Sequence, residues 1–332
     1  LFIFTNKLYI LIQSIHIMSI STTNEKPTLT EKFTPEEKRE IANKIKPITL
    51  DMVDMEYNKL KNIGKNAENQ SPRSRIGNNV VDYFTFMERL HTRGKYNCNY
   101  FEFIHNIDEF QKKKFIQNML EYYKTVKNKS GKKNKYIVWK ETYNICISAI
   151  NIIRPIMYME IYTKYNATSV LDFCAGWGGA LIAAAVLDIP KYTGIELNSS
   201  LVEPYKKLQA YTKSKNTNTA IDMIFKSALD VDYSILEYDL VFTSPPYYFI
   251  QKYEHNVPYK SKKEMDELFY VPLFSKTYQH LKQNGYYILN INKEIYENVC
   301  IGLFGVCHEI FFLKKSQRQN EYKENVYVWK KL

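Results

Sequence analysis

Thr243-Ser244-Pro245-Pro246-Tyr247-Tyr248, directly after the apolar run Leu240-Val241-Phe242, is the stretch whose residue types are best suited to chemistry. Two successive prolines fix two φ angles and remove two backbone donors, so an extended run must stop there. The corner carries a small hydroxyl before it and an aromatic ring after it. It suits a flat molecule with an exocyclic amino group. The Tyr247 ring would stack on the face of that molecule, while the Ser244 hydroxyl and the Pro245 carbonyl would accept the two amino hydrogens. On this reading Tyr247 works through its ring, and its hydroxyl is dispensable. Tyr248 belongs either to the pocket or to the core. A proline-stiffened turn with no ligand is the plain alternative.

A second group of residues lies upstream. Ser169-Val170-Leu171-Asp172-Phe173 reads as a short strand and Cys174-Ala175-Gly176-Trp177-Gly178-Gly179 as a glycine-rich turn. Ala180 to Val186 then reads as an alanine-rich helix able to lie close on a sheet. Glycines let the backbone approach a ligand and take φ > 0 without a Cβ clash. A further strand, Lys191 to Glu196, ends in a carboxylate twenty positions beyond Gly176. From there an acidic side chain can hold ribose hydroxyls. The dinucleotide fingerprint G-x-G-x-x-G is not matched, and no phosphate-binding lysine follows the turn. A nucleoside without a pyrophosphate fits better.

Together these segments resemble the S-adenosylmethionine-dependent amino-methyltransferases of nucleic acids, which modify adenine N6 or cytosine N4. The resemblance covers residues 141–332, with three motifs in order on the expected elements. It implies an α/β fold: a Rossmann-like class I methyltransferase sheet of seven strands with a reversed final hairpin, behind an N-terminal, mostly helical extension. It implies S-adenosyl-L-methionine as cofactor, held by Asp172, Phe173, Ala175, Gly176, Gly178 and Glu196. Asp230, in preference to Asp232, would meet the adenine amino group, and Arg154-Pro155 marks a weaker cofactor-contacting segment. Ser244, Pro245, Pro246 and Tyr247 become the catalytic set. The implied partner is DNA, with RNA left open, and the target base is flipped out of its stack.

Two departures from the family pattern stand out. Asp172-Phe-Cys-Ala-Gly replaces the more common aspartate, proline, phenylalanine, small residue and glycine. Ser244 replaces the aspartate or asparagine typical of adenine enzymes. Serine is more frequent among cytosine-N4 enzymes without being confined to them, so the target base stays open. No Pro-Cys dipeptide occurs, which argues against cytosine-C5 chemistry. Two other readings stay in view: an RNA base amino-methyltransferase and an inactive nucleic-acid-binding homologue.

The 332 residues allow one large or two moderate domains, and the net charge of +11 suits a polyanionic partner. The richness in Lys, Asn, Ile and Tyr weakens the charge argument, because an AT-rich genome writes that bias regardless of function. Five scattered cysteines without CxxC pairing or metal-ligand spacing read as reduced thiols of an intracellular chain. Residues 1–17 are expected to lie outside the native protein, because Met18 opens an ordinary polar N-terminus. No run reaches the ~18 apolar residues of a membrane span.

Residues 18–140 are expected to form the helical extension. Thr34-Pro35-Glu36-Glu37 reads as a helix start, and Val80 to Leu90 as an apolar helical face. This section resembles an upstream domain of some viral and phage-type DNA methylases. It is either a helical cap on the cofactor domain or a DNA-recognition region using Arg73, Arg75, Arg89 and Arg93. The lysine run from 124 to 135 is read as a solvated linker or a phosphate contact. The mixed basic and aromatic segment 251–263 is a candidate substrate-facing loop, and the basic, amide-rich segment 314–320 is either substrate-facing or merely solvated. A helix is expected from about Lys263 to Gln283 and a strand over Gly285 to Ile291. Ile301 to Leu313 and Asn325 to Trp329 are expected to close the sheet as a hairpin.

Overall fold

Short apolar runs become parallel strands in this chain because helices cover both of their faces. The computed structural model describes residues 29–94, 96–148, 150–249, 255–313 and 325–332. The strands are β1 (Ser169–Asp172), β2 (Lys191–Glu196), β3 (Ala220–Phe225), β4 (Leu240–Thr243), β5 (Tyr286–Asn290), β6 (Glu309–Phe312) and β7 (Asn325–Lys330). They form one sheet in the order β3-β2-β1-β4-β5-β7-β6. The first five are parallel, and β7 runs antiparallel between β5 and β6. This is the class I methyltransferase sheet with its reversed final hairpin. Every residue of β1 and β4, the two central strands, is buried.

The final hairpin is shorter than expected. Ile301–Phe304 is the last turn of a helical segment, so only Glu309–Phe312 pairs with β7. The helix expected after the diproline corner is interrupted: Lys262–Met265 leads through a π-helical turn, Asp266–Tyr270, into Val271–Gln279. The expected loop 314–320 and the start of the loop at 251–254 lie outside the described residues, as do residues 1–28.

In the extension, α1 (Pro35–Ile45) begins as the sequence indicates. Thr34 Oγ1 accepts from the Glu37 amide at 3.2 Å, and Glu37 returns a bond to the Thr34 amide at 2.7 Å. α2 (Leu50–Ile63) and α3 (Asn78–His91) follow. Their apolar faces do not form a core of their own. Val53, Tyr57, Leu60, Val80 and Val81 belong to the same buried cluster as Val170, Leu181 and Phe242 of the sheet region. Residues 31–332 make one compact unit.

α4 (Pro155–Lys164), α5 (Gly179–Val186) and α6 (Val202–Ser214) complete the frame around the glycine turn. Tyr211 on α6 donates to Asp54 Oδ1 of α2 at 2.8 Å, and Lys215 pairs with the other carboxylate oxygen at 2.8 Å. Gly178, at φ +90°, caps α5 in the left-handed region. A Cβ on Gly179 would stand 2.6 Å from the Ile153 carbonyl oxygen, so this helix start has room only for glycine.

Two of the four arginines considered for DNA contact are engaged inside the fold. Arg89 is buried in an ion pair with Asp82, which Lys46 also meets. Arg93 pairs with the buried Glu102. Arg73 and Arg75 are exposed.

Candidate active site

The strand order reverses at β1 and β4, and that fixes where a ligand can sit. Val170 pairs with Leu240 and Leu171 with Val241, so Phe173-Cys174 and Thr243-Ser244 leave the sheet side by side. The pairing of Thr243 with Leu289 brings Asn290 next to Ser244. The crevice outside the strand ends at such a switch point is the usual ligand site of an open α/β sheet. A cavity of about 420 Å³ opens there.

One half of the cavity is built on β1 and β2. Phe173, Cys174, Ala175, Gly176, Trp177 and Gly179 line it, together with Glu196. Glu196 Oε2 accepts from the Gly176 amide at 2.7 Å, and Oε1 from the Asn198 amide at 2.8 Å. Each oxygen keeps a further acceptor position, enough for a pair of vicinal hydroxyls. Burial pushes the Glu196 carboxyl up to about 7, against the backbone amides that favour its charge. Asp172 stands behind this wall, fully buried. Its Oδ1 accepts from the Cys174 amide at 3.2 Å, and its Oδ2 has no hydrogen-bond partner among the described residues. Burial raises Asp172 to about 7 as well. Gly178 shapes the turn without lining the cavity.

After β3 the wall is Ser227, Ala228 and Leu229; neither Asp230 nor Asp232 lines it. Ser227 Oγ caps a 3-10 turn over Ala228–Asp230 by accepting from the Leu229 amide at 3.3 Å, which carries Asp230 past the cavity. Asp232 is occupied in capping the following turn. Arg154 donates to the Ser74 carbonyl, and its place at the wall is taken by Asn151, Ile152 and Ile153 just before it.

The other half carries the diproline corner. Ser244, Pro246, Tyr247 and Tyr248 line the cavity, and Pro245 between them is buried. The Pro246 carbonyl accepts from the Tyr270 hydroxyl, and that hydroxyl in turn accepts from the Tyr248 amide at 3.1 Å. Tyr248 adopts φ +42°, an unusual conformation for a bulky residue. The Tyr247 hydroxyl is not idle. It donates to Asn290 Oδ1 at 2.9 Å and lies 3.2 Å from Ser244 Oγ. Ser244 Oγ also reaches Asn290 Oδ1, at 3.1 Å.

Three contributors escaped the sequence reading. Asn290 ends β5, where an asparagine reads as turn chemistry. Thr92 reaches the cavity from the end of α3. Thr85, on the same helix, donates to the Trp177 carbonyl at 3.2 Å, so the extension braces the glycine turn directly. From 255 to 259 the loop after the diproline corner closes one side of the cavity.

Residues 167–302 match the family model described as RNA cap guanine-N2 methyltransferase. The chain carries the fold of the S-adenosylmethionine-dependent methyltransferases. Among curated proteins none matches. Similar solved structures include TrmN from Thermus thermophilus, at 16% identity over 54% of this chain and 49% of that one, with a TM-score of 0.37. SMU.776, a putative methyltransferase complexed with SAH, is 16% identical over 54% of this chain and 50% of that chain, with a TM-score of 0.40. A putative methylase from Haemophilus influenzae is 17% identical over 51% of this chain and 81% of that one, at 0.33. The match thus spans about half the length of TrmN.

S-adenosylmethionine is the cofactor of this fold, and the residues present fit it. The spare acceptor positions of Glu196 suit ribose hydroxyls. Ile195 and Ala228 offer apolar walls to a flat ring, and the carboxyls of Glu196 at the wall and Asp172 behind it favour a cationic ligand. Among the described residues no helix is long and apolar enough to cross a membrane.

Proposed function

We propose that this chain transfers a methyl group from S-adenosylmethionine to the exocyclic amino group of a nucleobase. The observation that carries this reading is the Ser244–Tyr247 corner, which stands in one cavity with Glu196, across the switch point of the sheet. S-adenosylmethionine, held by Glu196 and the glycine turn, would supply an electrophilic sulfonium methyl to the amine lone pair, the C–S electron pair staying with sulfur.

An exocyclic amine is conjugated with its ring and is therefore a poor nucleophile. Acceptors at the corner hold its N–H groups and favour the pyramidal nitrogen needed for attack. The side-chain acceptors at the corner are Ser244 Oγ and Tyr247 Oη, beside the Pro245 carbonyl expected from the sequence. No strong base is needed, because the nitrogen becomes acidic only on methylation and its extra proton can pass to water. A base in a duplex must first leave the stack, and packing against Tyr247 offsets part of that cost.

DNA, through adenine N6 or cytosine N4, is the substrate we favour from the tetrapeptide. The family match favours a second reading, the amino group of guanine in RNA. Transfer of labelled methyl groups to unmethylated duplex DNA and to RNA transcripts, run in parallel, decides between the polymers. Label on protein or small molecules alone would overturn both readings.

A further inference from the structure

The hydroxyls of Ser244 and Tyr247 share one acceptor, and the orientation of that acceptor is fixed. Asn290 is 1% exposed, and its Nδ2 donates to the Asn325 carbonyl at 2.9 Å, where β7 begins. A carbonyl oxygen takes only a donor, so the amide nitrogen must face Asn325 and Oδ1 must face the cavity side. Oδ1 has two acceptor positions. Ser244 Oγ fills one at 3.1 Å and Tyr247 Oη the other at 2.9 Å. Each hydroxyl has a single proton. With both protons directed at Asn290, each oxygen can meet a third group only as an acceptor, and their 3.2 Å separation lets them serve adjacent hydrogens. Ser244, Tyr247 and Asn290 all line the same cavity.

We propose that Asn290 is a positioning residue that converts the Ser244 and Tyr247 hydroxyls into a pair of acceptors, selecting a nucleophile that carries two N–H hydrogens. The inference rests on the amino-transfer reading and deepens it. Two convergent acceptors match an amino group and repel a carbonyl oxygen or a deprotonated hydroxyl. They also explain why the corner needs a hydroxyl on Tyr247: a ring alone would stack equally well. If Asn290 were absent, each hydroxyl could turn its proton into the cavity and meet the amine donor to donor. Asn290 acts through its two neighbours and transfers no proton itself.

The test uses the full chain with labelled S-adenosylmethionine and a mixture of unmethylated duplex DNA and RNA transcripts as the probe. Asn290→Leu removes the acceptor at similar size. Asn290→Asp keeps an acceptor oxygen beneath both hydroxyls and, when ionised, loses the donor to Asn325. We expect Asn290→Leu to lower kcat about a hundredfold, with KM for the polymer and the cofactor Kd changed less than threefold. Asn290→Asp should recover most of the loss. In a Ser244→Ala, Tyr247→Phe background, Asn290→Leu should cost little more, because the groups it orients are gone. Equal losses in the Leu and Asp variants would mean that Asn290 only ties β5 to β7, and the inference would fall. So would unchanged turnover in both variants. Should the Leu variant not fold, failure of Asp to retain turnover in a folded chain overturns it equally. If wild-type protein yields an N-methylated base while these variants contradict the scheme, only this inference fails. If wild-type protein yields no such base, the amino-transfer reading fails and takes this inference with it.

Discussion

Glu196 and Asp172 are neighbouring carboxyls, both raised to about 7 by burial. The folded, cofactor-free chain therefore holds their protons at a pH where an unfolded chain has released them. Their contribution to folding is fully present below the ordinary carboxylate range and is lost as pH rises through about 7. A cationic ligand reverses the balance by stabilising the ionised forms. Cofactor affinity should accordingly tighten roughly tenfold between pH 6 and pH 8, as read by isothermal titration, and Glu196→Gln should flatten much of that rise. Glu196→Ala should cost ~1.5–3 kcal/mol for each ribose hydrogen bond lost; unchanged affinity would remove Glu196 from the cofactor site. At the corner, stacking alone would make Tyr247→Phe silent. With its hydroxyl bonded to Asn290 and close to Ser244, that variant should instead lose about tenfold in turnover, ~1.4 kcal/mol. Tyr247→Ala should lose a further ~1–3 kcal/mol of base binding. Ser244→Ala should lower kcat more than it raises KM, because its bond strengthens as the amine pyramidalises. Steady-state kinetics on a methylatable polymer separate these cases, and a fully active Tyr247→Phe would return the corner to a pure stacking platform.

The elements that position these residues were legible in the sequence to different degrees. The strand, glycine turn, helix and second strand from Ser169 to Glu196 were readable because each obeys a local rule: an apolar run, left-handed backbone, small residues against a sheet. The diproline corner was readable for the same reason. What local rules could not supply was register. Asn290 matters only because β5 pairs with β4 at Thr243–Leu289 and with β7 at Asn290–Val326. Thr92 and Thr85 matter only because α3 packs across the glycine turn. Asp230 was misplaced by a short capped turn whose direction a count along the chain does not give. The tightest of the local constraints is Gly179. Gly179→Ala would push a Cβ to 2.6 Å from the Ile153 carbonyl oxygen and against the Tyr158 ring. We expect a loss of ~1–3 kcal/mol in thermal or denaturant unfolding, with weakened cofactor binding. A variant of unchanged stability and affinity would show that the helix start can shift without consequence.

For the molecule as a whole, the helical extension is part of the fold that holds the cofactor. Val53, Tyr57, Leu60, Val80 and Val81 complete a core that the sheet region leaves open. A chain beginning just before Pro155 should therefore lose the cooperative unfolding transition and the cofactor binding of the full chain. A truncated domain with a sharp transition and intact affinity would show that the extension is dispensable. This coupling also limits the arginines available to a polymer, since Arg89 and Arg93 are tied to acidic partners inside it. The central claim is the chemistry of the acceptor: a nucleobase amino nitrogen receives the methyl group. The most direct measurement incubates the full chain with S-adenosylmethionine and unmethylated DNA or RNA, digests the polymer to nucleosides, and identifies the methylated species by mass spectrometry with fragmentation. The account predicts a base methylated on its exocyclic nitrogen, abolished by Ser244→Ala together with Asn290→Leu. Methylation on a ring carbon or a ribose oxygen, or an N-methyl product indifferent to those substitutions, would contradict it.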